Sequence, residues 1–483
     1  MNKCEMMSKV FVYVLMILLL FLSFNQRSYA LSDTQADSIQ KLLDDASAIS
    51  GVPGMSLSVI VEEDVFYFSS GFADRETGMS ASENTLYELA SVSKAFTGAG
   101  ILLLEEQGLL SMSDPITNYL PWFTLVYQGE MVDKRELTLN NFLHHTSGLT
   151  NPKHTKNIPQ GNGSHLLRKT VEMLVGEELA FPPGERYEYG TVNYDVLGLV
   201  IQQVSGQSYE EFMEKQLFRP LGLYHTYVCK KEAKAAGQLA QGYRSSFFLT
   251  SPYDAPEYDG NKPAGYLISS AKDMARWMRI QLGEIDDLPE EYQTVVERSQ
   301  QGNQSVSAVG NRYYAGGWLV NADQTIIEHS GGNPNFRTEV ILLPYERTAV
   351  CLLTNGANTN GNVVKKMTEI LKGDLNQTYN ISGTQTLDRI LSSLTLLFCL
   401  LALLFLFLGF RIRSRTKGRK LSKKRLMVIF CLLTVAFVIV SIMAIIGKDW
   451  FTIVVWETYS IVTVLISSSF LLITVAWYIF VRR

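Results

Sequence analysis

The string Tyr87-Glu88-Leu89-Ala90-Ser91-Val92-Ser93-Lys94-Ala95-Phe96-Thr97-Gly98 sets a hydroxyl and an amine three residues apart, ahead of an apolar run that includes Ile101-Leu102-Leu103-Leu104. The run reads as a long buried helix. Positions i and i+3 of a helix share a face, so the Ser91 oxygen and the Lys94 nitrogen are expected within hydrogen-bond reach. A serine hydroxyl is a weak nucleophile at neutral pH, and an amine kept neutral by burial takes its proton as attack begins. The positive end of the helix also favours an oxyanion beside Ser91. Ser-x-x-Lys alone recurs in unrelated chains, with the serine as an ordinary N-cap. The rest of the sequence has to decide between the two readings.

The ends of the chain set the compartment. Lys3 and Lys9 precede an apolar stretch at 10–24, and Ser28-Tyr29-Ala30 supplies the small residues that a signal peptidase reads. Residues 1–30 are therefore expected to be a signal peptide outside the fold, with an uncleaved signal anchor as the alternative; that stretch is shorter than the about 20 residues a spanning helix needs. Three further apolar segments, 390–410, 426–447 and 459–481, are each long enough to cross a bilayer about 30 Å thick. They lack the polar stripe of a helical domain in water. Between the first two lies a basic loop with Arg411, Arg413, Arg415, Lys417, Arg419, Lys420, Lys423, Lys424 and Arg425. Basic loops stay in the cytoplasm, which places the first helix outside-to-inside, the catalytic part outside and Arg482-Arg483 inside. The expected organisation is a signal peptide (1–30), an exported domain (31–372), a polar linker (373–387) and a three-helix membrane domain (388–483), with membrane lipid as one partner.

The exported domain is large enough for one core or two packed lobes. The net charge of −4 averages an acidic ectodomain with the basic loop, so nucleic-acid binding has no support. Of five cysteines, only Cys229 and Cys351 fall outside the leader and the apolar segments. A disulfide between them is open, although Cys351 sits in the apolar run 348–353 and suits a buried thiol. Strands are read at 55–61 and 65–70 as a hairpin, and again at 317–320, 325–328, 338–343 and 348–353, around a largely helical middle at 92–224. One antiparallel sheet with an inserted helical lobe is an α+β arrangement.

Two more constellations complete a site. In Pro183-Gly184-Glu185-Arg186-Tyr187-Glu188-Tyr189-Gly190-Thr191 a Pro-Gly turn leads to a phenol just before a helix, and Tyr189 is the candidate proton shuttle, as a phenolate or relayed through Lys94. Taken singly, such a tyrosine is an ordinary packed aromatic. In His329-Ser330-Gly331-Gly332-Asn333-Pro334-Asn335-Phe336, glycines after a strand let a substrate lie along its edge. The Gly332 N–H is expected to join the Ser91 N–H as an oxyanion hole, with His329 adding charge or a hydrogen bond. Taken singly, this segment is a turn between strands.

With these residues in hand the chain resembles the penicillin-recognising serine hydrolases: class C β-lactamases, serine D-peptidases and related esterases. The resemblance runs through Ser91 and Lys94, His144-His145-Thr146-Ser147-Gly148-Leu149, Tyr189, Arg219-Pro220-Leu221-Gly222-Leu223, Pro263-Ala264-Gly265, Gly317-Trp318 and His329-Ser330-Gly331. It implies an acylated Ser91, Lys94 as base, Tyr189 as proton shuttle, a substrate-binding strand at His329-Ser330-Gly331 beside Gly332, and no metal or other cofactor. Two positions depart from the pattern. The family's Tyr-x-Asn is Tyr189-Gly190-Thr191 here, with Asn193 close by, and the lysine of Lys-Thr-Gly is His329.

Within that family the end-to-end layout is similar to the membrane-bound peptidases that mature nonribosomal prodrugs of the colibactin and zwittermicin type. That resemblance implies a small acyl-peptide substrate from which an N-acyl-D-asparagine cap is removed, selected by amide-binding groups for which Glu88, Thr191, Asn261, Asn333 and Asn335 are candidates. It leaves a homodimer open. A D-alanyl carboxypeptidase, β-lactamase or esterase of the same fold is the alternative, and a catalytically idle sensor domain is a third reading that the intact Ser91-Lys94-Tyr189 set argues against.

Overall fold

In the computed structural model, Glu62 adopts a left-handed backbone (φ +55°), and the chain reverses there between two strands, β1 (Gly54–Val61) and β2 (Asp64–Asp74). Residues 31–151, 153–155, 157–285, 287–359, 362–413, 422–445, 455–456 and 459–482 are described. The signal-peptide expectation and most of the basic loop lie outside them. Further strands follow as β3 (Met79–Ser80), β4 (Leu86–Glu88), β5 (Val126–Tyr127), β6 (Glu130–Met131), β7 (Tyr243–Ser246), β8 (Leu249–Pro252), β9 (Ile268–Ser270), β10 (Arg312–Tyr314), β11 (Leu319–Asn321), β12 (Ile327–Asn333), β13 (Phe336–Leu343) and β14 (Thr348–Thr354). Eight of them form one antiparallel sheet in the order β10-β11-β12-β13-β14-β1-β2-β3, which joins the two ends of the domain in register from Met55 opposite Thr354 to Val61 opposite Thr348. The central strands β1 and β14 are buried along nearly their whole length; β14 accordingly reads as a continuous apolar run, while β1 alternates Met55, Leu57 and Val59 with the buried serines Ser56 and Ser58.

One face of the sheet carries the helical lobe. Helix α1 (Asp33–Ser50) precedes β1, while α2 (Ser93–Glu106), α3 (Val192–Ser205) and the single turn α4 (Lys262–Gly265) belong to the lobe. Its core includes Phe96 stacked on Trp277 at 4.5 Å, together with Phe142, Tyr194 and Trp318. Helix α5 (Val363–Leu371) joins α1 on the opposite face over Leu57, Val59, Ile341 and Val350. The α+β expectation is met.

Two expectations shift. The strand read at 325–328 runs on to Asn333, as the resemblance implied for His329-Ser330-Gly331, because it pairs with β13 through Gly332 opposite Arg337 and Asn333 opposite Phe336; only Pro334 and Asn335 make the turn. The polar stretch 373–387 is not a linker throughout, since helix α6 (Gly383–Arg413) begins inside it, where Ser382 accepts from the Gln385 N–H. Helices α7 (Lys423–Ile445) and α8 (Tyr459–Val481) follow, and α6 and α7 both pack against α8. Among the described residues two helices are long and apolar enough to cross a membrane, Gly383–Ile412 and Tyr459–Val481, with mean hydropathy 2.7 and 2.2. Cys229 and Cys351 are both free thiols; Cys351 is buried, and burial pushes its titration upward.

Candidate active site

Ser91 sits in a 3₁₀ turn (Ala90–Val92) that leads directly into α2, with Ala90 held at φ +47°. A left-handed alanine costs on the order of 1 kcal/mol or more. It turns the chain between β4 and α2, with Ser91 at the bend. Gly331 of β12 packs onto this turn: a Cβ at 331 would lie 2.6 Å from the Ser91 nitrogen and 2.5 Å from the Leu89 oxygen, so only glycine lets the strand approach.

The Ser91 Oγ receives two hydrogen bonds, from the Tyr189 hydroxyl at 3.0 Å and from Lys94 Nζ at 3.3 Å. Lys94 is fully buried and also donates to the Ala264 carbonyl at 2.6 Å and to Thr191 Oγ1 at 3.0 Å. Burial pulls its ammonium down to about 7, partly opposed by the Asp195 charge. The neutral amine is therefore available at physiological pH, as a general base requires. Burial raises the Tyr189 phenol, so at rest it is a neutral donor to Ser91; of the two forms considered for the shuttle, the phenolate is disfavoured. Its ring rests on His145 with centroids 4.4 Å apart, and the His145 Nδ1 meets Asn193 Nδ2 at 3.0 Å.

Asn193 also receives the Ser147 hydroxyl at 2.6 Å and donates to the Gly190 carbonyl at 2.8 Å. It ties the Thr146-Ser147-Gly148 loop to the Tyr189 loop and does not replace the missing Tyr-x-Asn amide. Thr191, at the position of that amide, is spent on Lys94.

Strand β11 pairs with β12 only at Ile327 and Glu328, leaving residues 329–333 an open edge beside Ser91. A cavity of about 370 Å³ lies along it, lined by Ser91, Tyr187, Tyr189, Tyr314, His329 and Ser330 and extending to Arg337, Glu339 and Lys365. Ser330 and Gly332 are exposed, and nothing stands within 4 Å of a Cβ built on Gly332. His329 bonds the Tyr314 hydroxyl through Nε2 at 3.0 Å and meets the Ser330 carbonyl through Nδ1 at 2.9 Å. Burial and the Lys94 charge push it down to about 3, so it offers a hydrogen bond and not the charge allowed for by the sequence reading.

The remaining amide candidates are engaged inside the protein. Glu88, 4% exposed, pairs with Lys230 Nζ at 3.1 Å and accepts from Asn333 Nδ2 at 2.7 Å, and the same amide reaches the Gly265 carbonyl at 3.1 Å. Asn261 donates to Asp195 at 2.5 Å. Asn335 donates to the Tyr253 carbonyl at 2.8 Å, while its Oδ1 is buried without a hydrogen-bond partner. None of these four lines the cavity at Ser91. Sequence reasoning missed Tyr314, Lys230 and the Ala264 carbonyl. Ala264 lay in a motif already noted, but Tyr314 and Lys230 are distant along the chain and carry no local signal.

A family model described as Beta-lactamase matches residues 39–374. Protein flp of Staphylococcus aureus strain MRSA252 is 30% identical over 381 residues, spanning 77% of this chain and 74% of that protein. Penicillin-binding protein 4* of Bacillus subtilis strain 168 is 28% identical over 313 residues, 60% of this chain and 65% of the relative. Among solved structures, the octameric penicillin-binding protein homologue from Pyrococcus abyssi aligns with a TM-score of 0.61 at 23% identity, over 74% of this chain and 81% of that one. A beta-lactamase/D-alanine carboxypeptidase from Pseudomonas syringae aligns with a TM-score of 0.59 at 19% identity, over 70% and 99%. These two likenesses establish a shared fold.

Proposed function

This chain belongs to the Beta-lactamase family, with the fold of its serine hydrolases, and from that premise we propose that it is a membrane-anchored Ser-Lys-Tyr amidase acting outside the cell. The observation that carries the reading is Lys94, buried, held near neutrality and hydrogen-bonded to Ser91. Neutral Lys94 accepts the Ser91 proton as Oγ attacks the substrate carbonyl. The oxyanion forms at the Ser91 N–H, with the Gly332 N–H as the proposed second donor. Tyr189 then passes a proton to the leaving nitrogen and regains one from Lys94, leaving the acyl-enzyme on Ser91; water gives a proton to the same base as it attacks the acyl carbonyl, and the Ser91 oxygen departs reprotonated. An intact base and shuttle is the reason to prefer an enzyme over a sensor.

Within this chemistry we propose release of an N-acyl-D-asparagine cap from a peptide-like amide. Support comes from the resemblance to prodrug-maturing peptidases and from the neutral His329. A C-terminal carboxylate, as in acyl-D-Ala-D-Ala, asks for a fixed cation beside the nucleophile, and at 329 the chain supplies an uncharged imidazole. A site that hydrogen-bonds a carboxamide rejects analogues lacking it by up to about four or five orders of magnitude. The test is competition among N-acyl-D-asparaginyl, N-acyl-L-asparaginyl and N-acyl-D-alanyl amides. The first is expected to turn over far faster; equal rates, or preference for acyl-D-Ala-D-Ala, return the enzyme to the carboxypeptidase or esterase reading.

A further inference from the structure

The hairpin β7–β8 has an unusual tip. Ser246 pairs with Leu249, so its loop is the two residues Phe247-Phe248, both with left-handed backbones (φ +55° and +64°). Such a turn ordinarily takes Asn-Gly, because bulky side chains strain it. Here it carries two phenylalanines followed by leucine, with Phe248 55% and Leu249 71% exposed. In water both the left-handed turn and the exposed Phe248 and Leu249 side chains are unfavourable.

The hairpin lies against the start of one apolar helix and against the segment that holds the start of another. Arg244 donates to the Val455 carbonyl, and its guanidinium lies over the rings of Tyr253 (3.7 Å) and of Tyr459, the first residue of α8 (4.8 Å). On the other strand, Thr250 stands against Gly51, 3.1 Å from where a Cβ would be, and the neighbouring Ser50 carbonyl receives the side chain of Gln385 in the first turns of α6 at 2.8 Å. The start of α6 follows the catalytic domain in the chain, and α8 runs alongside α6 in the same direction, with Thr395 against Thr463 and Phe405 against Tyr478, so the hairpin lies at the level where both helices leave the apolar phase.

We propose that the β7–β8 hairpin is a membrane-interface element whose Phe247-Phe248-Leu249 tip enters the headgroup layer of the bilayer crossed by α6 and α8. Aromatic and leucine side chains at that depth bury their rings while the strand backbone above stays hydrated, which compensates the strained turn. The same hairpin leads to Tyr253, whose carbonyl holds Asn335 of the active-site turn, so the open edge of β12 is fixed relative to the lipid surface. The proposal rests on the membrane-spanning reading of α6 and α8.

The test uses the full chain in vesicles of phosphatidylethanolamine and phosphatidylglycerol, with p-benzoylphenylalanine in place of Phe248 and, in a second variant, of Leu249. Tyr345, 77% exposed beyond the opposite end of β1 and β14, is the control position, roughly 23 Å further along the strands. Irradiation is expected to add lipid mass at 248 or 249 and none at 345. Vesicle-bound protein with no lipid adduct at either tip position, or with equal adducts at 345, overturns the hairpin proposal alone. A chain that does not float with the vesicles overturns the membrane reading with it.

Discussion

Two lysines are tied to adjacent carbonyls of one short segment, one directly and one through Glu88 and Asn333, and their environments make them different chemical objects. Lys94 donates to the Ala264 carbonyl and Lys230 pairs with Glu88, whose partner Asn333 bonds the Gly265 carbonyl. Both are withdrawn from water. Lys94 is enclosed by a carbonyl, two hydroxyls and the rings of Tyr189 and Tyr194, and burial brings it to about 7. Burial also pulls on Lys230, but the carboxylate 3.1 Å away more than compensates and its ammonium titrates above the ordinary value. Lys262, beside Glu210 and Asp259, follows Lys230. A carboxylate at contact distance is thus the difference between a structural cation and a base.

The largest effect should come from removing the base arrangement itself. Ser91→Ala, Lys94→Arg and Tyr189→Phe should each lower kcat by about three orders of magnitude or more, because a catalytic set acts as a unit and an arginine stays protonated. Mass spectrometry of a trapped acyl-enzyme checks the assignment; an adduct on another residue, or an active Ser91→Ala enzyme, breaks the comparison at its root.

Converting Lys94 into a lysine of the Lys230 kind comes next. Thr191→Asp sets a carboxylate where Thr191 Oγ1 now meets Nζ at 3.0 Å. The wild-type kcat/KM should rise with pH through a limb near 7 as Lys94 loses its proton. An adjacent negative charge favours the protonated form, so the limb should move up by about one unit or more, with about tenfold lower activity at neutral pH. An unmoved limb would mean that another group sets it.

The stability effects are smaller and should have opposite signs. Glu88→Gln leaves Lys230 and Asn333 without their carboxylate and should cost about 2–3 kcal/mol in urea unfolding, while a fluorophosphonate still labels Ser91. Lys94→Met removes a buried amine whose folded pKa lies below its unfolded one. Between about 7 and 10.5 the folded state binds fewer protons than the unfolded state, so wild-type stability should rise with pH across that window, and the methionine variant should lose this slope. At pH 7 it should be more stable by about 1 kcal/mol or more, although inactive. Equal pH slopes in the two proteins would remove the argument from burial.

Ser91, Lys94 and Tyr189 were legible because each carries a chemistry that its neighbours in the chain explain: a helix start, an i+3 spacing, a turn before a helix. The five amide candidates were chosen by residue type and position alone, and that signal does not separate a side chain facing a cleft from one facing a neighbour. Glu88 is the clearest case. One turn before Ser91 it looked like a specificity group, and Lys230, 142 residues away, claims it instead. His329 was legible as the replaced lysine, but its neutral state depends on burial and on the Lys94 charge, which only folding supplies.

By itself the sequence determined the elements governed by local spacing: the β1–β2 hairpin, the Ser-x-x-Lys helix start, the apolar C-terminal helices and the α+β order of the chain. Periodicity and turn chemistry act over a few residues, so they are written there. Tertiary structure alone decided which buried polar groups meet. It extended β12 to Asn333 by pairing it with β13, spent Asn193 and Asn261 on internal bonds, and set Lys94 among hydroxyls and a carbonyl while giving Lys230 a carboxylate. Protonation and reactivity follow from partners within a few ångströms, and those partners come from segments far apart in the chain.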